Sequence, residues 1–320
     1  MQETLPRAGF VGTGSMGSPI ARRLLDAGVP LVVHNRTREK AEPLLAAGAR
    51  WCETPREVGR EAGGQTIFTA LTDAKAVRSA LFGRTGIARG AGAGTLVVDL
   101  STVTPDESRS FAERLGRRGI HFMDVPVGGS TDAAAEGRLV AFAGGSDDDL
   151  ERARPLLDRF ARRVELLGPV GSGASMKLVN NLLTIGQVAL AAEALALAQA
   201  FGLDRDRTIE LLQDGGAASK MLEAKRGAFV RQEYPARFRL ALARKDLGLI
   251  DRAARDAGAT ARISREIRRL YDEAIAQGLA DRDFAAVFER ALARRRTGAP
   301  PSADATAPLP SPSPERTPSG

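Results

Sequence analysis

The chain has 320 residues, enough for two domains with substantial cores. Hydrophobic residues make up 43% and charged residues 27%, the balance of a globular chain. One cysteine, Cys52, excludes an intrachain disulfide framework and fits a reducing cytoplasm, with Cys52 read as a packing residue. The net charge is +7, but its arginines fall in pairs such as Arg22-Arg23, Arg117-Arg118 and Arg268-Arg269, without interleaved aromatics. That pattern reads as solvated helix faces that steer small anions, and it argues against a nucleic-acid partner.

The chain opens without a charged segment and a long apolar run, so no signal peptide is expected. From residue 8 to 168, strand-like and helix-like stretches alternate. Strand-like runs lie at 8–12, 31–34, 66–71, 96–100, 121–125, 139–143 and 164–167, with helices between them, as at 20–27, 38–47 and 105–117. This alternation predicts an α/β fold, a Rossmann-type doubly wound, mostly parallel sheet covered on both faces. Asp106, Asp147 and Asp148 stand where helix caps are expected.

After Gly168 the strand pattern stops. A long helix is predicted over 176–201, ended by Gly202, and Asp204 is placed to cap the next helix. Further helices follow at 219–230, 245–257, 263–277 and 284–296. The expected organisation is a dinucleotide-binding domain over 1–168, an all-α domain over 169–297 and a disordered Pro- and Ser-rich tail over 298–320. The apolar stretch 182–200 is interrupted by Gln187, Glu193 and Gln199, so it reads as a helix buried at a domain or subunit interface rather than a membrane span.

Gly12-Thr13-Gly14-Ser15-Met16-Gly17 gives G-x-G-x-x-G between the first strand and the first helix. The first glycine makes the tight turn, the second admits the pyrophosphate to the backbone, and the third allows close helix–strand packing. The free N–H groups of the helix start then face the phosphates. The second strand ends in His34-Asn35-Arg36-Thr37, with no carboxylate to repel a 2′-phosphate. Arg36 can pair with that phosphate, and Asn35 and Thr37 can hydrogen-bond it, so NADPH/NADP+ is expected over NADH/NAD+. Leu71 and Thr72, after the 66–71 run, are expected at the cofactor as well.

At the start of the long helix, Lys177 and Asn181 stand four residues apart and share one face. A lysine there can give a proton to a carbonyl oxygen as it is reduced. His34 and His121 are read as structural, and no His and carboxylate cluster has metal-ligand spacing, so no metal is expected.

These motifs, in this order, resemble the β-hydroxyacid dehydrogenase family. The resemblance runs from about residue 8 to 295. It rests on Gly9 to Gly17, Asp99-Leu100-Ser101-Thr102, Asp124-Val125-Pro126-Val127-Gly128-Gly129-Ser130, Lys177 with Asn181, and Phe238 through Lys245-Asp246-Leu247. It implies an NADP-dependent oxidoreductase acting between a small β-hydroxy acid and its semialdehyde, with Lys177 as general acid/base and Asn181 beside it. It also implies that Thr102 and Lys245 face the cofactor, and that Thr102, Gly128, Gly129, Ser130, Phe238 and Asp246 help bind the anionic substrate. A homodimer or homotetramer joined through the long helix is implied too. One position departs: Gly128 stands where the family usually has serine, so backbone N–H groups or a displaced Ser130 hydroxyl must take the carboxylate. Alternative readings are an imine reductase-like enzyme, which generally carries another residue at the lysine position, and a catalytically silent NADPH-binding protein.

Overall fold

The computed structural model describes residues 5–293. The tail expected over 298–320 and the last residues of the helix expected to reach 296 lie outside them. Strands β1 (Ala8–Val11), β2 (Leu31–His34), β3 (Arg50–Trp51), β4 (Thr66–Thr69), β5 (Leu96–Asp99) and β6 (His121–Asp124) form a parallel sheet in the order β3-β2-β1-β4-β5-β6. Their side chains alternate between two buried faces. Phe10, Val33, Phe68 and Val98 enter one core, and Val11, Val32, Ile67 and Val97 the other. Helices α1 (Gly17–Asp26), α2 (Glu42–Ala46), α3 (Pro55–Glu61), α4 (Ala74–Phe82) and α5 (Pro105–Gly116) make the crossovers. The strand order reverses between β1 and β4, which opens a crevice at their carboxyl ends.

The single mostly parallel sheet that the sequence suggests is in fact two. The chain leaves the first at Pro126, which has no N–H for a ladder, and its carbonyl accepts from the Phe142 N–H at 3.0 Å. Strands β7 (Val127–Gly128), β8 (Leu139–Ala143) and β9 (Ala161–Leu166) form a second sheet, antiparallel between β7 and β8. Helices α6 (Thr131–Ala135) and α7 (Asp147–Leu157) connect these strands.

The caps also differ from expectation. Thr104 and Ser146 cap α5 and α7 with their hydroxyls, and Thr104 forms a reciprocal box with Glu107. Asp106, Asp147 and Asp148 sit inside the first turns, where a carboxylate interacts with the helix dipole instead. The helix expected over 38–47 is a 3₁₀ turn (Arg38–Ala41) followed by the short α2, with Pro43 near the start of α2.

The rest is helical: α8 (Ser172–Ala200), α9 (Arg205–Asp214), α10 (Lys220–Arg231), α11 (Leu240–Asp256), α12 (Arg262–Ala276) and α13 (Val287–Ala293). Asp204 caps α9 as expected. Helix α11 begins at Leu240, before the expected 245, because the apolar Leu240, Ala243 and Leu247 already follow helical spacing into the core. Helix α8 is long and apolar enough to cross a membrane, by length and composition. Here Ile185, Val188, Ala192 and Leu195 bury one face among α9 to α13.

The junction between the layers is a carboxylate. Asp124, at the end of β6, accepts the N–H of Gly171 at 2.7 Å and of Ala174 at 2.6 Å. It thus supplies from outside the cap that Gly171 cannot, since glycine has no side chain. The fit is close: a Cβ on Gly173 would lie 2.2 Å from the Phe142 carbonyl oxygen, and one on Gly144 would lie 2.7 Å from the Asp124 carboxylate. Removing this acceptor strands two buried donors, each costing about 1–3 kcal/mol. Asp124→Ala is expected to lower stability by about 3 kcal/mol in urea unfolding. A loss below about 1 kcal/mol would show that α8 finds its own cap.

Candidate active site

The glycine loop leaves β1 at the reversal of strand order. Gly12 has φ +104°, and a Cβ there would lie 2.4 Å from the Ala70 carbonyl oxygen. A Cβ on Gly17 would lie 2.0 Å from the Gly12 carbonyl oxygen, so this glycine lets α1 pack on the loop. Gly14 differs: a Cβ there would meet no atom within 4 Å, and the loop backbone faces open space. Helix α1 has no side-chain cap and no acidic residue in its first turn. The buried hydroxyl of Thr13 lacks a partner. A backbone cradle at a helix start, bare at its middle glycine, fits a dinucleotide pyrophosphate.

Asn35 belongs to this loop more than its position at a strand end suggested. Its Oδ1 accepts the Thr13 N–H at 3.2 Å and its Nδ2 donates to the Thr37 carbonyl at 2.8 Å, so it ties the end of β2 to the glycine turn. Arg38 lies 5.3 Å over the Trp51 ring and pairs with Glu42 and Glu53. Arg36 is exposed and has no ion-pair partner among the described residues.

Beyond β4 and β5 a buried carboxylate fixes the next two loops. Asp99 accepts from the hydroxyls of Thr69 at 2.7 Å and Ser101 at 2.6 Å, and the Ser101 Oγ accepts the Leu71 N–H at 2.9 Å. Burial pushes the Asp99 carboxyl upward, against the hydrogen bonds from Ser101 and Thr69. Leu71, Thr72 and Thr102 are thereby placed along one edge of the crevice. Lys245 of α11 closes that edge. Its Nζ donates to the Thr72 carbonyl at 2.8 Å and the Thr102 carbonyl at 3.3 Å, and it lies 3.0 Å from Asp246 Oδ1.

Lys177 sits one turn into α8, held there by the Asp124 cap. Its side chain is half-buried, and Nζ donates to the Val127 carbonyl at 2.7 Å, leaving other ammonium protons free to point outward. Loss of water lowers its pKa to about 8; the Asp246 carboxylate opposes the shift and the Lys245 ammonium adds to it. Asn181 is buried and donates from Nδ2 to Asp246 Oδ2 at 2.7 Å, while its Oδ1 accepts from Asn180 at 3.1 Å. Lys177, Asn181, Lys245 and Asp246 therefore form one charged cluster facing the glycine-rich turn after β7. Asp124 carries a carboxyl pushed up to about 6 by burial, with the N–H bonds from Gly171 and Ala174 opposing.

In that turn Gly128 is buried, and a Cβ on it would stand 3.1 Å from the Phe142 ring. Gly129 has φ +133°. The Ser130 hydroxyl accepts the Ala133 N–H at 3.2 Å as the cap of α6. Its lone pair is thus engaged in the fold, although its own proton can still be donated. Phe238 approaches from the helical side, where Arg237 pairs with Asp132 of α6 at 3.3 Å. Asp124 and Ser101 were quoted within motifs, but their positioning roles escape the sequence. A carboxylate at a strand end carries no signal of the distant N–H group it will accept.

Comparisons with known proteins agree with this fold. The sequence profile of the NAD binding domain of 6-phosphogluconate dehydrogenase matches residues 7–168. The profile described as NAD-binding of NADP-dependent 3-hydroxyisobutyrate dehydrogenase matches residues 171–291. Glyoxylate/succinic semialdehyde reductase 2, chloroplastic, of Arabidopsis thaliana is 34% identical over 281 residues, covering 88% of this chain and 78% of that protein. The crystal structure of 3-hydroxyisobutyrate dehydrogenase from Salmonella typhimurium is 28% identical, with a TM-score of 0.81, covering 89% of this chain and 99% of that one. The structure of Psf3 in complex with NADP+ and 2-OPP is 26% identical, with a TM-score of 0.80, covering 88% and 99%.

Proposed function

The chain belongs to the β-hydroxyacid dehydrogenase family, and from that premise we propose that it is an NADP-dependent reductase of small aldehyde acids, reversibly forming β-hydroxy acids. The observation that carries this reading is the cluster in which Lys177, pKa about 8, lies beside Asp246 and Lys245, with Lys245 bonded to the Thr72 and Thr102 carbonyls at the crevice edge. Bound NADPH supplies the hydride. The chain's own residues do the rest. Gly12 to Gly17 hold the pyrophosphate on backbone N–H groups, and Arg36, with Thr37, takes the 2′-phosphate. Lys245 braces the loops beside the nicotinamide. The Lys177 ammonium stabilises the negative charge developing on the carbonyl oxygen and gives it a proton as it becomes an alcohol, leaving a neutral amine. Asn181, anchored on Asp246, orients the substrate oxygen next to the lysine. Gly128, Gly129 and Ser130 bind the carboxylate through backbone N–H groups and the Ser130 proton. Phe238 and Asp246 close the site from the helical side.

A dimer through α8 completes the reading. Leu183, Leu190 and Leu197 recur every seven residues on its outer face and are 61%, 70% and 53% exposed. Phe201 and Leu211 extend the patch. The substrate domain begins near Gly168, and the buried single thiol is in keeping with a cytoplasmic setting.

Oxidation of NADPH with succinic, methylmalonic and tartronic semialdehydes and glyoxylate tests the reaction. At least one is expected to turn over, with kcat about 10²–10⁴-fold lower in Lys177→Ala. Reduction requires the charged lysine, so its kcat/KM is expected to fall as pH rises through about 8, while alcohol oxidation falls as pH drops below it. NADPH binding without turnover of any of these compounds would sink the proposal. For the cofactor, Arg36→Ala is expected to weaken NADPH about tenfold or more and NADH little, by fluorescence titration; equal losses would remove Arg36 from the 2′-phosphate site. Light scattering tests the dimer: Leu190→Glu is expected to halve the mass in solution, and an unchanged mass would place the interface elsewhere.

A further inference from the structure

The helical layer contains a buried ion pair that the reaction does not use. Lys225 of α10 is 7% exposed and Asp283 is 2% exposed, with Nζ and Oδ1 2.8 Å apart. The ammonium also lies 4.6 Å over the Phe284 ring. Burying such a pair brings little stability over an apolar pair of similar volume. What it does here is geometric. Asp283 Oδ2 accepts two consecutive backbone N–H groups, Arg237 at 3.2 Å and Phe238 at 3.1 Å. Oδ1 accepts the Ala285 N–H at 3.1 Å beside Lys225. The same strip is fastened by the Phe284 N–H to the Phe238 carbonyl at 2.9 Å and by the edge-on Phe238 and Phe284 rings, centroids 5.3 Å apart. Arg237 then pairs with Asp132 at 3.3 Å, in the first turn of α6 and two residues after Ser130.

We infer that Lys225 and Asp283 are positioning residues that set the substrate cleft, by fixing the Arg237–Phe238 backbone so that Phe238 forms the rim facing Gly128 to Ser130. This rests on the proposed reductase reading for the role of Phe238. The carboxylate is the hub and Lys225 orients it. With a neutral side chain at 225, Oδ1 loses the Lys225 ammonium that orients the carboxylate, and Oδ2 is no longer held on both N–H groups. The Phe238 strip then loosens while Lys177, Asn181 and the glycine loop stay in place, because none of them bonds to it.

Two measurements on Lys225→Met test this. Hydrogen exchange at the Arg237 and Phe238 amides is expected to accelerate at least tenfold, with the exchange of α8 unchanged. The KM for the aldehyde acid is expected to rise about tenfold while the NADPH KM and the pH dependence of kcat stay at wild-type values. Because Lys225 acts through Phe238, the double variant with Phe238→Ala is expected to show no larger KM than Phe238→Ala alone. Unchanged exchange at Arg237 and Phe238 in folded Lys225→Met overturns the inference, as does a wild-type substrate KM or additive losses in the double variant. Should Lys225→Met fail to fold, Lys225→Arg keeps the charge but displaces the carboxylate, and the same readouts decide. Absence of turnover in the wild-type enzyme defeats the reductase reading alone; the exchange measurement still decides whether Lys225 and Asp283 fix the strip.

Discussion

The structure depends on one carboxylate at a place where no side chain of the helix itself can serve. The start of α8 is a glycine in the left-handed region, followed by N–H groups that need acceptors. Asp124 supplies them from the last strand of the parallel sheet. Because β6 is fixed by its register with β5, the first turn of α8 is fixed to the sheet as well. Lys177 follows one turn later on the same helix. The position of this lysine is therefore set by strand pairing in the other layer rather than by packing within the helical one. Glycines at 144 and 173 are the steric condition for this, since either Cβ would push the carboxylate or its neighbours aside.

The second constraint is electrostatic and works in the opposite sense. Lys177 loses water on entering the junction, which favours its neutral form, while the carboxylate of Asp246 favours the charged form. Asp246 does not act at full strength, because Lys245 stands 3.0 Å from one oxygen and Asn181 donates to the other. Loss of water outweighs that attraction, and the lysine's pKa comes down to about 8. Lys245 links this balance to the crevice, since the ammonium that tempers Asp246 also holds the Thr72 and Thr102 carbonyls. Lys245 and Asp246 are consecutive residues of α11, so the brace on the crevice edge and the carboxylate beside Lys177 belong to one rigid piece.

How much of this was legible in the sequence follows from the range of each interaction. The glycine loop was readable because its constraints are local: a positive φ at Gly12 and a close helix approach at Gly17 demand glycine at fixed spacing. The pairing of Lys177 with Asn181 was readable for the same reason, as helical periodicity. The caps of α5 and α7 were misread because aspartate serves both the cap and the first turn, and only the backbone geometry of Thr104 and Ser146 separates the two. The split of the sheet was hidden because Pro126 announces a break but not a new partner. Asp124, Asp99 and Asp283 were illegible as positioning groups. Each binds atoms of a different segment, and nothing in a strand's own pattern encodes a partner such as Gly171, 47 residues away.

Gly128 shows how a departure from a family pattern can be a coupled change rather than a loss. A side chain at 128 would run into the Phe142 ring at 3.1 Å, so the ring occupies the volume that a serine would need. Phe142 is buried on β8 opposite β7, and a side chain at 128 would require its ring to give by a few tenths of an ångström. The hydroxyl is not simply missing; it has been exchanged for an apolar wall. On the proposed reading, a carboxylate at this turn meets that wall on one side and the N–H groups of the turn on the other, with Lys177 held on the Val127 carbonyl nearby. Backbone donors read charge and position but little else of a ligand. On the same proposed reading, selectivity among small anionic substrates falls to the shape of the remaining wall, with Phe142 on the sheet side and Phe238 on the helical side.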